Sequence, residues 1–110
     1  MAGIQMNATK GDNLDKMTRL TELAKKRYPW IELVMFGELS AFGTSLNAAQ
    51  PMPGPAENHF CSLAKKHGIW MLPGSFYEME DDKIYNTTPV INPDGEVVTR
   101  HRKLFLRDRL

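Results

Sequence analysis

Ile31-Glu32-Leu33-Val34-Met35-Phe36 is the run on which the fold turns. Glu32 is its one polar residue, so the run lacks the alternation of a strand with a wet face. It reads as a strand buried on both sides, the habit of a parallel sheet. Upstream, Leu14, Met17, Leu20, Ala24 and Tyr28 recur at helical spacing, with Lys16, Arg19, Glu22 and Lys26 on the opposite face. Asp12 is placed to cap this helix and Asp15 favours its positive N-terminus; the helix is predicted to end near Arg27, ahead of Pro29. Before it, Ile4, Met6 and Ala8 alternate with polar neighbours over residues 3–8, the pattern of another strand. Strand, amphipathic helix, strand is a βαβ unit, and its two strands are predicted to be parallel.

Downstream of the run, residues 37–55 form a long irregular stretch holding three Gly and three Pro. A loop of that length in a small domain is usually functional or mobile. This one follows the C-terminal end of a central strand, where open α/β sheets place their ligand sites. Pro55 opens a second helix in which Phe60, Leu63, Ala64 and His67 share one face, and Gly68 is placed to close it. Residues 69–76 read as a third strand ending at Pro73-Gly74, and Asp81-Asp82 as a turn. Residues 84–91 and 97–101 flank Asn92-Pro93-Asp94-Gly95, a type I turn signal, and so form an antiparallel hairpin. Pro89 removes a ladder donor and implies an edge or a bulge there. The fold class is therefore α/β, in the order β-α-β-α-β-β-β.

With 42% hydrophobic and 25% charged residues the composition is that of one soluble globular domain. Fourteen Lys and Arg against thirteen Asp and Glu leave a net charge of +1. That balance argues against a nucleic-acid arm, a polybasic membrane anchor or an acidic tail, so neither nucleic acid nor a membrane is expected as a partner. No apolar run is long enough to cross a bilayer, and no signal-peptide pattern opens the chain. With a single cysteine, Cys61, no internal disulfide can form, and the expected address is the cytoplasm. His59, His67 and His101 lack metal-ligand spacing, so no metal is expected. No glycine-rich phosphate loop is present, and no cofactor is expected.

Several stretches together carry a family resemblance. They are Phe36-Gly37-Glu38-Leu39 after the buried run, Pro51-Met52-Pro53-Gly54-Pro55 leading into a helix, and Gly68-Ile69. Gly74-Ser75-Phe76-Tyr77-Glu78, Tyr85-Asn86-Thr87, Asn92-Pro93-Asp94-Gly95-Glu96 and His101-Arg102-Lys103 complete them. In this order and spacing the chain resembles the N-terminal part of the nitrilase, or carbon–nitrogen hydrolase, superfamily. The resemblance implies part of a four-layer α-β-β-α sandwich, a nitrile or amide as small-molecule substrate, and a homo-oligomer in the full-length form. It departs at Gly37, where the family commonly has Pro, at His101 in place of Tyr, and at Phe105 in place of His.

The family's Glu-Lys-Cys triad falls on Glu38 and Lys103. A carboxylate at the end of a buried strand can take a thiol proton, and an ammonium beside it can stabilise the oxyanion of a tetrahedral intermediate. The thiolate attacks the nitrile or amide carbon, ammonia or an amine leaves, and water releases the acid. The family's nucleophilic Cys lies beyond the Lys, and residues 104–110 contain none. Cys61 precedes Lys103, within the second helix, and reads as a small core hydrophobe. Tyr77, Glu78 and Asn86 are candidates to line the substrate pocket. Residues 102–110 read as an interruption, so the chain is expected to be the N-terminal part of a single hydrolase domain and inactive alone. Ile84, Val90, Val97 and Leu104 are then expected to face an absent layer. The rival readings are a non-catalytic remnant acting as a protein-interaction module, and an unrelated α/β domain that binds a small molecule.

Overall fold

In a computed structural model, residues 2–4, 12–37, 39, 41 and 49–104 are described. The elements are β1 (Ala2–Ile4), α1 (Leu14–Arg27), β2 (Leu33–Phe36), α2 (Pro55–His67), β3 (Trp70–Leu72), β4 (Phe76–Glu80), β5 (Lys83–Ile91) and β6 (Val97–Leu104). They build one six-stranded sheet of order β1-β2-β3-β5-β4, with β6 on β5. β1, β2 and β3 are parallel, as the apolar run predicted. Its burial on both sides does not follow, since Val34 and Phe36 are buried but Met35 between them is exposed. β5 is antiparallel to β3, β4 and β6. Of the first expected strand, residues 5–8 lie outside the described residues.

The third strand differs from its expectation. It is broken into β3 and β4 at Pro73-Gly74, where Gly74 takes φ 81°. The sheet therefore has one strand more than the sequence pattern predicted. Asp81 (φ 52°) and Asp82 (φ 64°) link β4 to β5, two left-handed residues that match the twist of a tight hairpin. Pro89 pairs with Arg100 on β6, and on its other edge it falls between the Ile91 partner of β3 and the Thr87 partner of β4. Its missing donor thus meets a gap in the ladder, and the bulge lies next door between Val90 and Ile91.

Both crossovers step the same way along the sheet, and right-handed connections then lay α1 and α2 on one face. Val34, Met71, Phe76 and Ile91 meet Met17, Phe60, Leu63 and Ala64 there, all buried. Asp12 accepts the Leu14 N–H at 2.8 Å, and Thr21, mid-helix and buried, donates its hydroxyl to the Met17 carbonyl. Lys66 of α2 donates to Glu22 of α1 at 2.9 Å and holds that carboxyl below its ordinary range. Tyr28, expected on the apolar stripe, is exposed, because the chain turns at Tyr28-Pro29-Trp30 before it re-enters the sheet.

Among the described residues no helix lies on the other sheet face. Alternation sends Met35, Trp70 and Met79 there, and they remain 37–45% exposed. Ile84 and Val90 are half-buried on the same side. Val97 instead packs against the helix-side core, because the bulge shifts its register. The Leu104 side chain lies outside the described ones.

Gly68 closes α2 in the left-handed region (φ 61°), with open space where a Cβ would stand. A substitution there costs backbone strain alone. Gly68→Ala is expected to destabilise by about 1 kcal/mol and Gly68→Asn by less, read from urea midpoints at constant m-value.

Candidate active site

The parallel strands end at a cleft of about 450 Å³ lined by Gly3, Ile4, Met35, Phe36 and Gly37. This is where the first crossover places the carboxyl ends of β1 and β2, the usual ligand position in such sheets. The chain leaves β2 through Gly37 into a turn at Leu39, which adopts φ 57°. Glu38, between them in sequence, lies outside the described residues. Two contacts hold its neighbours. The buried Ser75 hydroxyl accepts the Leu39 N–H at 3.1 Å. Gly74 backs onto the Gly37 carbonyl so closely that a Cβ would come within 1.9 Å of its oxygen.

Lys103 sits on the exposed edge strand β6. Cross-strand register places it opposite Asn86, and Asn86 opposite Tyr77. Directly opposed residues share a face, so these three predicted site residues form one row on the helix-free side. Gln50 runs beside β4, its N–H donating to the Tyr77 carbonyl and its carbonyl accepting the Met79 N–H. Its side chain caps α2 by accepting the Ala56 N–H at 2.7 Å.

Glu78 is not in that row. It is turned to the helix side, buried, where it accepts the Thr87 hydroxyl at 2.8 Å and lies 3.2 Å from Arg102 Nε. Arg102 also pairs with Glu80 and stacks 3.8 Å from the centre of the Tyr85 ring. Its hydrogen bond to Glu80 raises its pKa. Arg100, two residues earlier on the same face, makes a bidentate pair with Glu57 of α2 at 2.6 and 2.7 Å. That bond likewise raises the Arg100 pKa.

Sequence reasoning gave no role to Glu57 or Arg100, and named Ser75 and Arg102 only within the stretches that carry the resemblance. A signal existed for Glu57, which falls three and seven residues before Phe60 and Ala64, on the apolar stripe of α2. A carboxylate there requires a cation paired with it.

Cys61 belongs to this helix layer, near Glu57 and Arg100 and across the sheet from Lys103. Burial, and then the Glu57 carboxylate, push its thiol pKa up, the reverse of an activated nucleophile. Its reaction with a disulfide reagent is therefore expected to be slower than that of a free thiol at neutral pH. The rate–pH curve should sit to the alkaline side, since the folded protein holds the proton longer. Stopped-flow absorbance across pH 6–11, with the urea-unfolded chain as reference, checks this. A curve on the acid side would contradict the environment described. Among the described residues no three His, Cys, Asp or Glu side chains converge as metal ligands. No helix of these residues is long and apolar enough to cross a membrane.

An α/β sheet with the two described helices on one face and a cleft at the carboxyl ends of its parallel strands is the architecture this chain shares with nitrilase-type folds. The carbon-nitrogen hydrolase family matches residues 1–109, and the chain belongs to that family. Among its relatives, the omega-amidase NIT2 of Mus musculus is 32% identical over 107 residues, covering 96% of this chain and 39% of that one. The omega-amidase NIT2-B of Xenopus laevis is also 32% identical, over 105 residues, with 94% and 38% covered. The chain thus spans about two fifths of the length of these relatives. Among solved structures, Nit3 of Saccharomyces cerevisiae, a member of branch 10 of the nitrilase superfamily, superposes with a TM-score of 0.81 at 27% identity. That match covers 91% of this chain and 42% of Nit3. A carbon-nitrogen hydrolase from Helicobacter pylori shares the fold, with a TM-score of 0.78 at 20% identity.

Proposed function

We propose that this chain is the N-terminal part of an amide-hydrolysing domain and supplies two members of a Glu-Lys-Cys triad. The observation that carries the reading is Lys103 in the family's motif position, in one cross-strand row with Asn86 and Tyr77. Glu38 takes the proton of a cysteine thiol carried by polypeptide outside these 110 residues. The thiolate attacks the amide carbon, and the Lys103 ammonium stabilises the oxyanion. Ammonia or an amine leaves with the proton returned from Glu38, and water attacks the thioester to release the acid and restore the thiol. Tyr77 and Asn86 line the substrate side. Glu78, on the opposite face, bears on substrate through the hairpin it braces. The names of the omega-amidase relatives favour an amide over a nitrile. A lone cysteine suits the cytoplasm, and the helix-free sheet face suits an enzyme whose layers pair.

Two assays of ammonia release over a panel of aliphatic amides and nitriles test this. The chain alone is expected to release none. A chimera in which it replaces the matched 107 residues of the mouse omega-amidase is expected to hydrolyse amides. Turnover by the chain alone that disappears in Cys61→Ala would overturn the assignment, and so would a folded but inert chimera. The second reading, an interaction module without catalysis, draws on exposed Met35, Trp70 and Met79, and the inert chimera is its signature.

A further inference from the structure

We propose that Ser75, with Gly74, is a positioning residue that sets the turn carrying Glu38. The inference rests on the reading of Glu38 as the general base. It comes from the way two distant pieces of backbone meet. Leu39 holds φ 57°, a left-handed conformation that a side chain with a Cβ disfavours. Such a residue persists where its surroundings fix it, and fixed backbone of this kind gathers at functional sites. The fixing group is the Ser75 hydroxyl, which accepts the Leu39 N–H at 3.1 Å from a site only 4% exposed. The other side of the turn is fixed by contact. Gly74, itself at φ 81°, lets the break between β3 and β4 press on the Gly37 carbonyl, 1.9 Å from where a Cβ would stand.

Residues 37 and 39 are therefore both referenced to the same dipeptide, and residue 38 is bonded to each of them. The anchor is rigid because Ser75 leads directly into β4, whose Phe76 is buried against Phe60 with ring centroids 6.2 Å apart. Gly37 also lines the cleft at the carboxyl ends of β1 and β2. A shift of the Gly37 carbonyl is thus a shift of the lining of that cleft. A hydroxyl is the suitable acceptor here, since it is short and rotates to meet the N–H without adding charge to a buried site.

Amide exchange by NMR on the 110-residue chain reads the hydrogen bond directly, with the Val34 and Ile91 amides as internal references for global stability. Ser75→Ala is expected to speed Leu39 exchange about 5- to 10-fold relative to those references, the worth of one hydrogen bond. Ser75→Thr, which keeps the acceptor, is expected to restore protection. Gly74→Ala leaves the hydroxyl in place and is expected to speed Leu39 exchange as well, by displacing the Gly37 carbonyl. It serves equally if Ser75→Ala does not fold. The second readout is the titration midpoint of the Glu38 carboxyl, followed by carbon-13 chemical shift. It is expected to move in Ser75→Ala and Gly74→Ala and to return in Ser75→Thr. Unchanged Leu39 exchange, or an unmoved Glu38 midpoint in both disruptive variants, overturns the proposal. In the amidase chimera Ser75→Ala is expected to lower kcat with KM unchanged. If Leu39 and Glu38 respond as stated but kcat does not, positioning stands and the role of Glu38 as base falls.

Discussion

Lys103→Ala in the amidase chimera is expected to lower kcat by roughly 10²–10³-fold, the usual consequence of removing one oxyanion-stabilising group. KM should change far less, because in the proposed mechanism the ammonium acts on charge that develops only in the transition state. Stability should be untouched, since Lys103 is exposed on the edge strand. The paired measurement is steady-state ammonia release with the urea midpoint of the same preparation. Its neighbour supplies a contrast. Arg102 lies on the opposite face of β6, engaged with Glu78, Glu80 and Tyr85. Arg102→Ala should act through the hairpin and lower the urea midpoint as well as the rate. A Lys103→Ala chimera with wild-type kcat would remove Lys103 from the chemistry. An equal loss of rate and midpoint would recast it as structural.

Much of the path to this site was legible in residue order. The apolar run ending at Phe36 announced a parallel strand, but its burial on both faces did not follow: Val34 and Phe36 are buried and Met35 is exposed, because the run's composition cannot say whether a second layer covers the sheet. Pro55 and Gly68 bounded α2 because their backbone preferences act locally. Asn92 organises the β5–β6 turn as its sequence suggested, its side chain accepting the Asp94 and Glu96 N–H groups. Where sequence reading failed, the deciding partner was far away in the chain. Nothing near Pro73-Gly74 says that a glycine is needed to admit the Gly37 carbonyl, so one strand was read where two exist. Likewise, period-2 alternation along β6 places Arg100 and Arg102 on one face and Lys103 on the other. Residue order alone does not say which of the three is held by a carboxylate. The register separates two structural cations from the one that shares a row with Asn86 and Tyr77.

Arg100→Leu is expected to produce the largest loss of stability, about 3–5 kcal/mol, by leaving the Glu57 carboxylate buried without its cation. The asymmetry of the pair sets this expectation. The Glu57 side chain is 2% exposed and the Arg100 side chain 33%. Removing the carboxylate leaves a guanidinium that can turn toward water, so Glu57→Leu should cost less, about 1–3 kcal/mol. Replacing both with leucine removes the buried charge altogether and should recover most of the loss, since well-packed apolar pairs often match a buried ion pair. Urea unfolding of the three variants at constant m-value gives the cycle. Equal losses in the two single variants would mean that Glu57 is not the costlier partner to strand. Under the proposed mechanism the pair also bears on function, because it joins α2 to β6 on the face opposite Lys103. Glu57 therefore has a reason to occupy an apolar stripe where leucine would pack as well. A bidentate carboxylate fixes the angle of an arginine, and through it the placement of β6, in a way that apolar contact does not. If so, the double-leucine variant should be stable yet catalytically slow in the chimera. Recovery of both stability and kcat would reduce the pair to packing alone.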